Sequence, residues 1–257
     1  MDNRRLYRDW VADDGLVSYT VTIGSTDLHV RTNRDLRREA LASAVAHRHR
    51  VEDYVHSHPR FATSLEPLTT QDDAPRIVRE MAEAARIAGV GPMAAVAGAI
   101  AEAVGRDLLQ HSDEITVENG GDVFIVTRTV RTVGLYAGRS ILTGRIGIAI
   151  QPEDCPLGIC TSSGTFGHSL SFGSADSCTV LARSTAVADA LATALCNRIR
   201  TAADLARVLD PGQLPAEALG VLAVIEGKAG MHGAIRLVSL DVAASSRRGT
   251  LPRARGK

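Results

Sequence analysis

The stretch EITVENGGDVFIV, residues 114–126, decides the fold class of this chain. Two apolar runs in it flank the residues Asn119, Gly120, Gly121 and Asp122. An Asn-Gly pair between strand-like runs is typical of a tight hairpin turn, because both residues tolerate positive φ angles. The stretch alone leaves two interpretations open, a simple turn or backbone that is exposed to bind a ligand. Local sequence favours the turn.

Strand-like and helical patterns alternate upstream of this hairpin. Val17, Tyr19, Val21 and Ile23 alternate with other residues and predict a strand of an N-terminal hairpin. Three helices are expected between that hairpin and residue 114. Pro92 opens the third, whose sequence MAAVAGAIAEAV has almost no polar face and therefore predicts a central, buried helix.

Downstream of residue 126 the pattern consists of strand-like runs around a helical segment at residues 184–199. Two final strand-like runs, at residues 219–225 and 234–240, are joined by EGKAGMHG, which we interpret as a connector. Strand pairs separated by helix pairs predict an α+β fold of antiparallel sheets with packed helices. We expect a single domain at residues 1–244, compatible with two intimate halves of about 1–130 and 131–244, and a disordered basic tail at 245–257.

Composition excludes several classes of protein. A hydrophobic fraction of 45% is ordinary for a globular protein, and a formal net charge of +0 gives no general attraction to nucleic acid or to an anionic membrane. The N-terminal residues contain no apolar core of an export signal, and the four cysteines form no CxxC pair. We therefore expect reduced thiols, no membrane association and the cytoplasm as the default location.

The segment CTSSGTFGHSLSFGSAD, residues 160–176, concentrates hydroxyl groups and glycines around His168. Such a loop offers many hydrogen-bond donors and little bulk, which suits a phosphate or the polar edge of a ring. A long glycine-rich surface loop is an equally good interpretation of the same pattern. By contrast, GVGPMA at residues 89–94 has the spacing of a dinucleotide fingerprint, but an amphipathic helix precedes it, so we reject that function.

The segment ADALATAL, residues 188–195, places Asp189 and Thr193 four residues apart, and hence side by side on one helical face. A carboxylate and a hydroxyl from adjacent turns form part of a shell that suits Mg²⁺. The simpler alternative is an exposed polar stripe on an amphipathic helix.

Taken in order, ENGGD, TSSGTFGHS and ADALATAL resemble the ApbE-like superfamily, and the similarity spans roughly residues 75–197. The segments AGVGPMAAVAGAIAE and GICTSSGTFGHSLSFGSAD resemble its soluble, largely uncharacterised branch. The resemblance implies a duplicated, T-fold-like α+β arrangement. The characterised members are FAD:protein FMN transferases, so it also implies a site for FAD or a related flavin with Mg²⁺, and transfer of FMN to a protein threonine.

The resemblance also assigns expected roles to individual residues. The residues that would bind the ligand are Asn119, Gly120, Gly121, Asp122, Thr161, Ser162, Ser163, Gly164 and His168. The residues that would bind the metal are Asp189, Thr193 and, through its carbonyl, Gly91. Asp122 and His168 are the candidates for a catalytic base. On this interpretation the Asn-Gly-Gly-Asp turn faces the ligand, so the two interpretations of the turn no longer compete.

The sequence departs from the transferases in two places. PMAAVAG lacks their Lys-Gly pair and the Asp at the start of the central helix, and GHSLSFG retains only His168 and Gly173 of a longer motif. Two hypotheses therefore stand. One is a Mg²⁺-dependent transferase of a flavin or phosphoryl group, and the other is a binding protein that retains the ligand without turnover. Both imply a small phosphorylated ligand and leave open a protein acceptor and a homo-oligomer.

Overall fold

The computed structural model describes residues 15–138, 140–165 and 172–240. The basic tail expected at 245–257 lies outside these ranges. The strands are β1 Val17–Ile23, β2 Thr26–Thr32, β3 Ile115–Asn119, β4 Asp122–Val126, β5 Arg131–Gly134, β6 Ile146–Ile150, β7 Leu157–Ser162, β8 Ser177–Ala182, β9 Gly220–Ile225, β10 Lys228–Gly233 and β11 Leu237–Ser239. The helices are α1 Arg37–Ser57, α2 Arg60–Thr63, α3 Arg76–Ala88, α4 Val96–Leu108, α5 Thr185–Asn197 and α6 Asp204–Val208.

Eight strands form one sheet in the order β1-β2-β3-β4-β7-β8-β9-β10, and every neighbouring pair is antiparallel. Because β4 pairs with β7, the strands on either side of residue 130 share this sheet. A second sheet has the order β11-β6-β5. The predicted α+β class with antiparallel sheets and packed helices is confirmed.

The large sheet is the middle layer of the molecule. Side chains of a strand alternate between its two faces, so odd and even positions contact different layers. On one face, Val117 and Phe124 join the core formed with the helices. On the other face, Ile125 and Ile159 pack against Ile148 of the small sheet. This alternation decides which polar side chains can meet the helices.

Helix boundaries follow the local sequence closely. Gly89 ends α3 in the left-handed conformation, with φ of 69°, as its position after the apolar stripe predicts. Pro92 opens a short 3₁₀ turn, Pro92–Ala95, before α4 begins. A helix therefore precedes the glycines at 89–91, which agrees with the rejection of a dinucleotide fingerprint.

The prediction that residues 226–233 are only a connector is wrong, because most of this segment forms the edge strand β10. Glu226 and Gly227 make the turn, with φ of 53° and 72°, and β10 then pairs with β9 in register. The strand expected at residues 234–240 is reduced to β11, which pairs with β6 of the small sheet. The polar and glycine-rich β10 is largely exposed, so it carries no alternating apolar signal.

Helix α5 approaches both the sheet and α4 closely at two glycines. A Cβ atom added to Gly98 of α4 would lie 2.5 Å from the Thr185 carbonyl oxygen and 2.8 Å from Asp189 Cβ. A Cβ atom added to Gly158 of β7 would lie 2.4 Å from Thr185 Cα. Both glycines therefore fix how closely α5 approaches its neighbours.

Among the described residues, no single helix has both the length and the apolar character needed to cross a membrane. Only the bent pair Arg76–Ala88 and Pro92–Leu108, with 105° between its parts, meets that requirement by length and composition.

We predict that Gly158→Ala lowers the free energy of unfolding by about 1–3 kcal/mol, because backbone atoms of Thr185 would have to move. Urea denaturation of the purified protein measures the change. Gly212→Ala is the matched control, since its Cβ would meet only Asp210 Oδ1 at 3.6 Å. Equal effects of the two substitutions would contradict close contact between α5 and β7.

Candidate functional site

The Asn-Gly-Gly-Asp segment is a hairpin turn. Asn119 pairs with Asp122 across the ends of β3 and β4, and Gly120 and Gly121 have φ of 68° and 115°. The turn predicted from the sequence is thus confirmed, while its contact with a ligand stays a prediction. The amide of Gly121 donates to Glu118 Oε1 at 2.9 Å, so this donor is already used within the turn.

The hairpin presents two polar side chains to the helical layer. Asn119 follows Val117 in alternation, and Asp122 precedes Phe124, so both point toward the helices. The Asn119 Nδ2 atom donates to the carbonyl oxygen of Ala97, at the start of α4, over 3.1 Å. The adjacent amide of Gly98 donates to Asp189 Oδ2 at 2.8 Å. The hairpin and α5 therefore meet at the first turn of α4.

Two carboxyl groups, those of Asp122 and Asp189, lie close enough to affect each other's charge. Burial is the main cause that raises the pKa of Asp122 well above its usual value, and the neighbouring charge of Asp189 adds to it. Burial also raises the pKa of Asp189 to about 7, against the opposing effect of the Gly98 and Ala97 amides. Two neighbouring carboxylates in a desolvated place favour a shared proton or a bound cation.

The two residues differ in their exposure to solvent. Asp122 is 8% exposed, whereas Asp189 retains intermediate exposure although its carboxyl group is surrounded by protein atoms. The exposed part of Asp189 therefore belongs to its other atoms, and its carboxyl group is buried like that of Asp122.

Cys160 completes the floor of this cluster. Its thiol is fully buried on β7 and faces two acceptors, the Thr185 carbonyl oxygen at 3.3 Å and the Asp122 carboxyl group. Burial, together with the charges of Asp122 and Asp189, raises the thiol pKa well above its usual value. Cys160 is therefore a neutral hydrogen-bond donor at this site and not a thiolate nucleophile.

The three metal-binding residues implied by the resemblance lie on neighbouring elements. Thr193 is 8% exposed and stands one turn after Asp189 on α5. Gly91 immediately precedes the 3₁₀ turn Pro92–Ala95, which packs against α5, and its carbonyl oxygen accepts from Ala94 N at 3.1 Å. Carboxylate, hydroxyl and carbonyl oxygens are hard ligands, so the donor set fits Mg²⁺.

Cysteine, histidine and acidic side chains alone do not build a metal site here. In the described ranges, no group of three or more of them has positions that could hold a metal ion. A cation bound at Asp189 would therefore need the hydroxyl and carbonyl oxygens, water or the oxygens of a ligand to complete its shell.

The four residues of the predicted Thr-Ser-Ser-Gly segment do not all face the same side of the sheet. Thr161 points away from the helices, and its hydroxyl lies 2.8 Å from Thr179 Oγ1. Ser162 points toward the helices like Cys160, and its buried Oγ atom has no hydrogen-bond partner among the described residues. Ser163 Oγ accepts from Thr165 N at 3.2 Å, and Gly164 N donates to the Ala175 carbonyl at 2.9 Å. Ser162 alone of the four presents its side chain on the same face as Asp122.

His168 lies outside the described residues, so its predicted role stays a prediction. Sequence reasoning missed Gly98, Glu118 and Cys160 as parts of the site. The only signals that could have indicated them were strand alternation, which places Cys160 on the face of Asp122, and the helix-start position of Gly98.

The arrangement of sheets and helices is similar to that of two solved proteins. It matches the flavin transferase ApbE from Vibrio cholerae with a TM-score of 0.55 and 13% identity, covering 88% of this chain and 97% of that one. It matches the apo form of the Pseudomonas stutzeri flavinyl transferase ApbE equally, with a TM-score of 0.55, 13% identity and coverage of 89% and 95%. At this identity the match shows a shared fold.

The chain belongs to the family described as AbpE bacteria, whose profile matches residues 8–229. It is 44% identical over 198 residues to UPF0280 protein MJ1526 of Methanocaldococcus jannaschii, covering 74% of this chain and 80% of that protein. It is 41% identical over 228 residues to a UPF0280 protein of Methanothermobacter thermautotrophicus, covering 86% and 88%. The predicted place in an uncharacterised ApbE-like branch is confirmed.

We predict that stability without divalent cations falls as pH rises from about 4 to about 7. The folded protein retains a proton on Asp189 that the unfolded chain has released, so the unfolded state binds fewer protons in this window. Because one pKa unit equals about 1.4 kcal/mol, the contribution of Asp189 to this decrease is at most about 4 kcal/mol.

Asp189→Asn should flatten this decline and be more stable than the parent at pH 8, because its amide oxygen can still accept from Gly98. Urea denaturation in EDTA across the pH range measures both proteins. Asp53→Asn, at an exposed position of α1, should keep the slope of the parent. An unchanged slope in Asp189→Asn would show that Asp189 is ionised at neutral pH without a cation.

Proposed function

We propose that this protein binds a flavin- or nucleotide-type phosphorylated ligand together with Mg²⁺, between α5, the start of α4 and the β3–β4 turn. The observation that carries the proposal is that the β3–β4 turn and Asp189 of α5 meet at the first turn of α4, where Asn119 bonds Ala97 and Asp189 bonds Gly98, with Asp122 and Asp189 both buried there. Two neighbouring carboxylates cost free energy in a desolvated place unless a proton or a cation accompanies them. A divalent cation at this position would neutralise the two negative charges and remove that cost, which favours its binding.

Asp189 and Thr193 would hold the cation, with the Gly91 carbonyl beside them. When bound, Mg²⁺ would neutralise the charge of a ligand pyrophosphate. The amide of Gly98 holds Asp189 Oδ2 at 2.8 Å, which orients the carboxyl group. This arrangement favours Mg²⁺, which accepts one or two carboxylates and completes its shell with water and phosphate oxygens.

Ser162 and Asp122 would act on the ligand directly. The Ser162 hydroxyl is buried without a partner, which costs about 1–3 kcal/mol and indicates that a bound molecule completes its hydrogen bonding. Burial raises the pKa of Asp122 well above its usual value, so this carboxyl group can hold a proton at a higher pH than a solvated aspartate. These residues give the site a donor for an oxygen atom and a group that can transfer a proton.

A flavin is the ligand that the comparisons favour, because two solved proteins with this fold are called a flavin transferase and a flavinyl transferase. Transfer of a phosphorus-containing group depends mainly on positioning and on neutralisation of charge, so the described side chains suffice for this reaction class. The alternative is a binding protein without turnover, and the lack of a Lys-Gly pair in PMAAVAG supports it.

We predict that the thermal unfolding midpoint rises when FAD, FMN or ADP is added with Mg²⁺. A ligand at a hundred times its dissociation constant should add about 2.7 kcal/mol to the free energy of unfolding. Asp189→Ala should abolish the part of this shift that requires Mg²⁺, whereas the exposed Asp53→Ala should retain it. An unchanged Mg²⁺-dependent shift in Asp189→Ala would exclude this residue as a metal ligand.

Turnover separates the two functions. Release of AMP from FAD in the presence of Mg²⁺ would identify a transferase or pyrophosphatase. Binding of FAD without release of AMP, tested with and without candidate protein acceptors, would identify a binding protein.

We further predict that Ser162→Ala weakens binding of the ligand found in this screen about tenfold and leaves stability unchanged or slightly increased. The reason is that the substitution removes a buried hydroxyl that has no partner in the free protein. Ser177→Ala is the matched control, because Ser177 Oγ is also buried without a partner but is on the other face of the sheet. Calorimetric titration should show wild-type affinity for this control. Equal affinities of both variants would exclude Ser162 from the site.

A further inference from the structure

The backbone amides near the start of α4 and of α5 each donate to a carboxyl group on the other helix. Asp189 of α5 accepts from Gly98 N, near the start of α4. Four residues further along α4, Glu102 Oε2 accepts from Thr185 N at 2.7 Å and from Ser184 Oγ at 3.1 Å, at the start of α5. Each helix therefore receives an acidic side chain of the other near its own start.

Glu102 is unusually placed for a glutamate. It is 4% exposed, within a helix whose other buried residues are apolar or glycine. Its Oε1 atom forms an ion pair with Arg106 on the next turn, and its Oε2 atom holds the start of α5. Both oxygens are thus committed to partners, which is the condition under which a buried carboxylate is tolerated.

We propose that Glu102 is a positioning residue for the cation site, because it fixes the first turn of α5 and thereby the place of Asp189 and Thr193. This inference rests on the cation site proposed above. Asp189 is four residues after Thr185, about 6 Å along the helix axis. Movement of the first turn is therefore transmitted directly to the carboxyl group.

The contact at Gly98 explains why a small displacement matters. Asp189 Cβ and the Thr185 carbonyl oxygen both lie within the space that one methyl group on Gly98 would need. With Glu102 in place, α5 is held at two points, by the Gly98 amide and by the Thr185 amide. Without Glu102, the bond between Asp189 and the Gly98 amide is the one of these two that remains. Asp189 would then have to bind the metal and also hold the start of α5 in position.

The test is a Mg²⁺ titration of the full chain, followed by the thermal unfolding midpoint, with Mg²⁺ as the only added ligand. Glu102→Gln keeps the size of the side chain but removes the charge that Arg106 and the α5 amides contact. Loss of a residue that orients a metal ligand typically weakens metal affinity about 10–100-fold. We expect the half-saturating Mg²⁺ concentration to rise at least about tenfold.

Two further variants separate positioning from general stability. Glu52→Gln is the matched control, because Glu52 pairs with Arg48 at the same i,i+4 spacing and lies at an exposed position of α1. It should leave the half-saturating concentration unchanged. Ser184→Ala removes one donor to Glu102 and also the side-chain cap of α5. It should raise the concentration about threefold, which keeps the inference testable if Glu102→Gln does not fold.

The outcomes distinguish the two proposals. A parent protein that does not respond to Mg²⁺ contradicts the cation site itself. A parent that responds, with Glu102→Gln at a lower midpoint but the same half-saturating concentration, overturns the positioning role and leaves the cation site intact. If Glu102→Gln does not fold, a Ser184→Ala variant that binds Mg²⁺ like the parent also overturns it.

Discussion

The contact between the first turns of α4 and α5 is the constraint on which the rest of the site depends. Two carboxylates, Asp189 and Glu102, satisfy amides that helices leave unpaired at their starts. The same bonds place acidic oxygen atoms where the helix dipoles favour negative charge. The positions of the helices and the geometry of the site therefore depend on the same hydrogen bonds. Moving either helix would leave amides and a carboxylate without partners in a place with little water.

The large sheet supplies the other half of the arrangement through alternation. Asn119 and Asp122 face the helices because they are in register with Val117 and Phe124, which pack there. A shift of one residue would turn both to the small sheet. The turn with two glycines at positive φ is what fixes this register. The interpretation of Asn-Gly-Gly-Asp as a hairpin and its interpretation as a ligand-facing segment are thus compatible, since the turn geometry directs the side chains.

The sequence predicted the class of fold, the β3–β4 turn and the helix end at Gly89, because these depend on local periodicity and on φ preferences. It failed at β10, where pairing with β9 determines the structure and the side chains are exposed. The site was predicted by resemblance as a set of residues but not as a geometry. Nothing local to Thr161 or Ser162 indicated that only Ser162 would share the face of Asp122, since this follows from the strand that surrounds them.

The direct contact of Gly158 with Thr185 has a consequence for how this fold could change over generations. With no side chain at Gly158 between strand and helix, α5 cannot rotate or slide at this point without displacing β7. Related proteins that bind a longer or wider ligand would have to change the loops at the ends of α5, with the helix in the same position. Divergence in selectivity should therefore accumulate in those connections, around an axis that stays fixed.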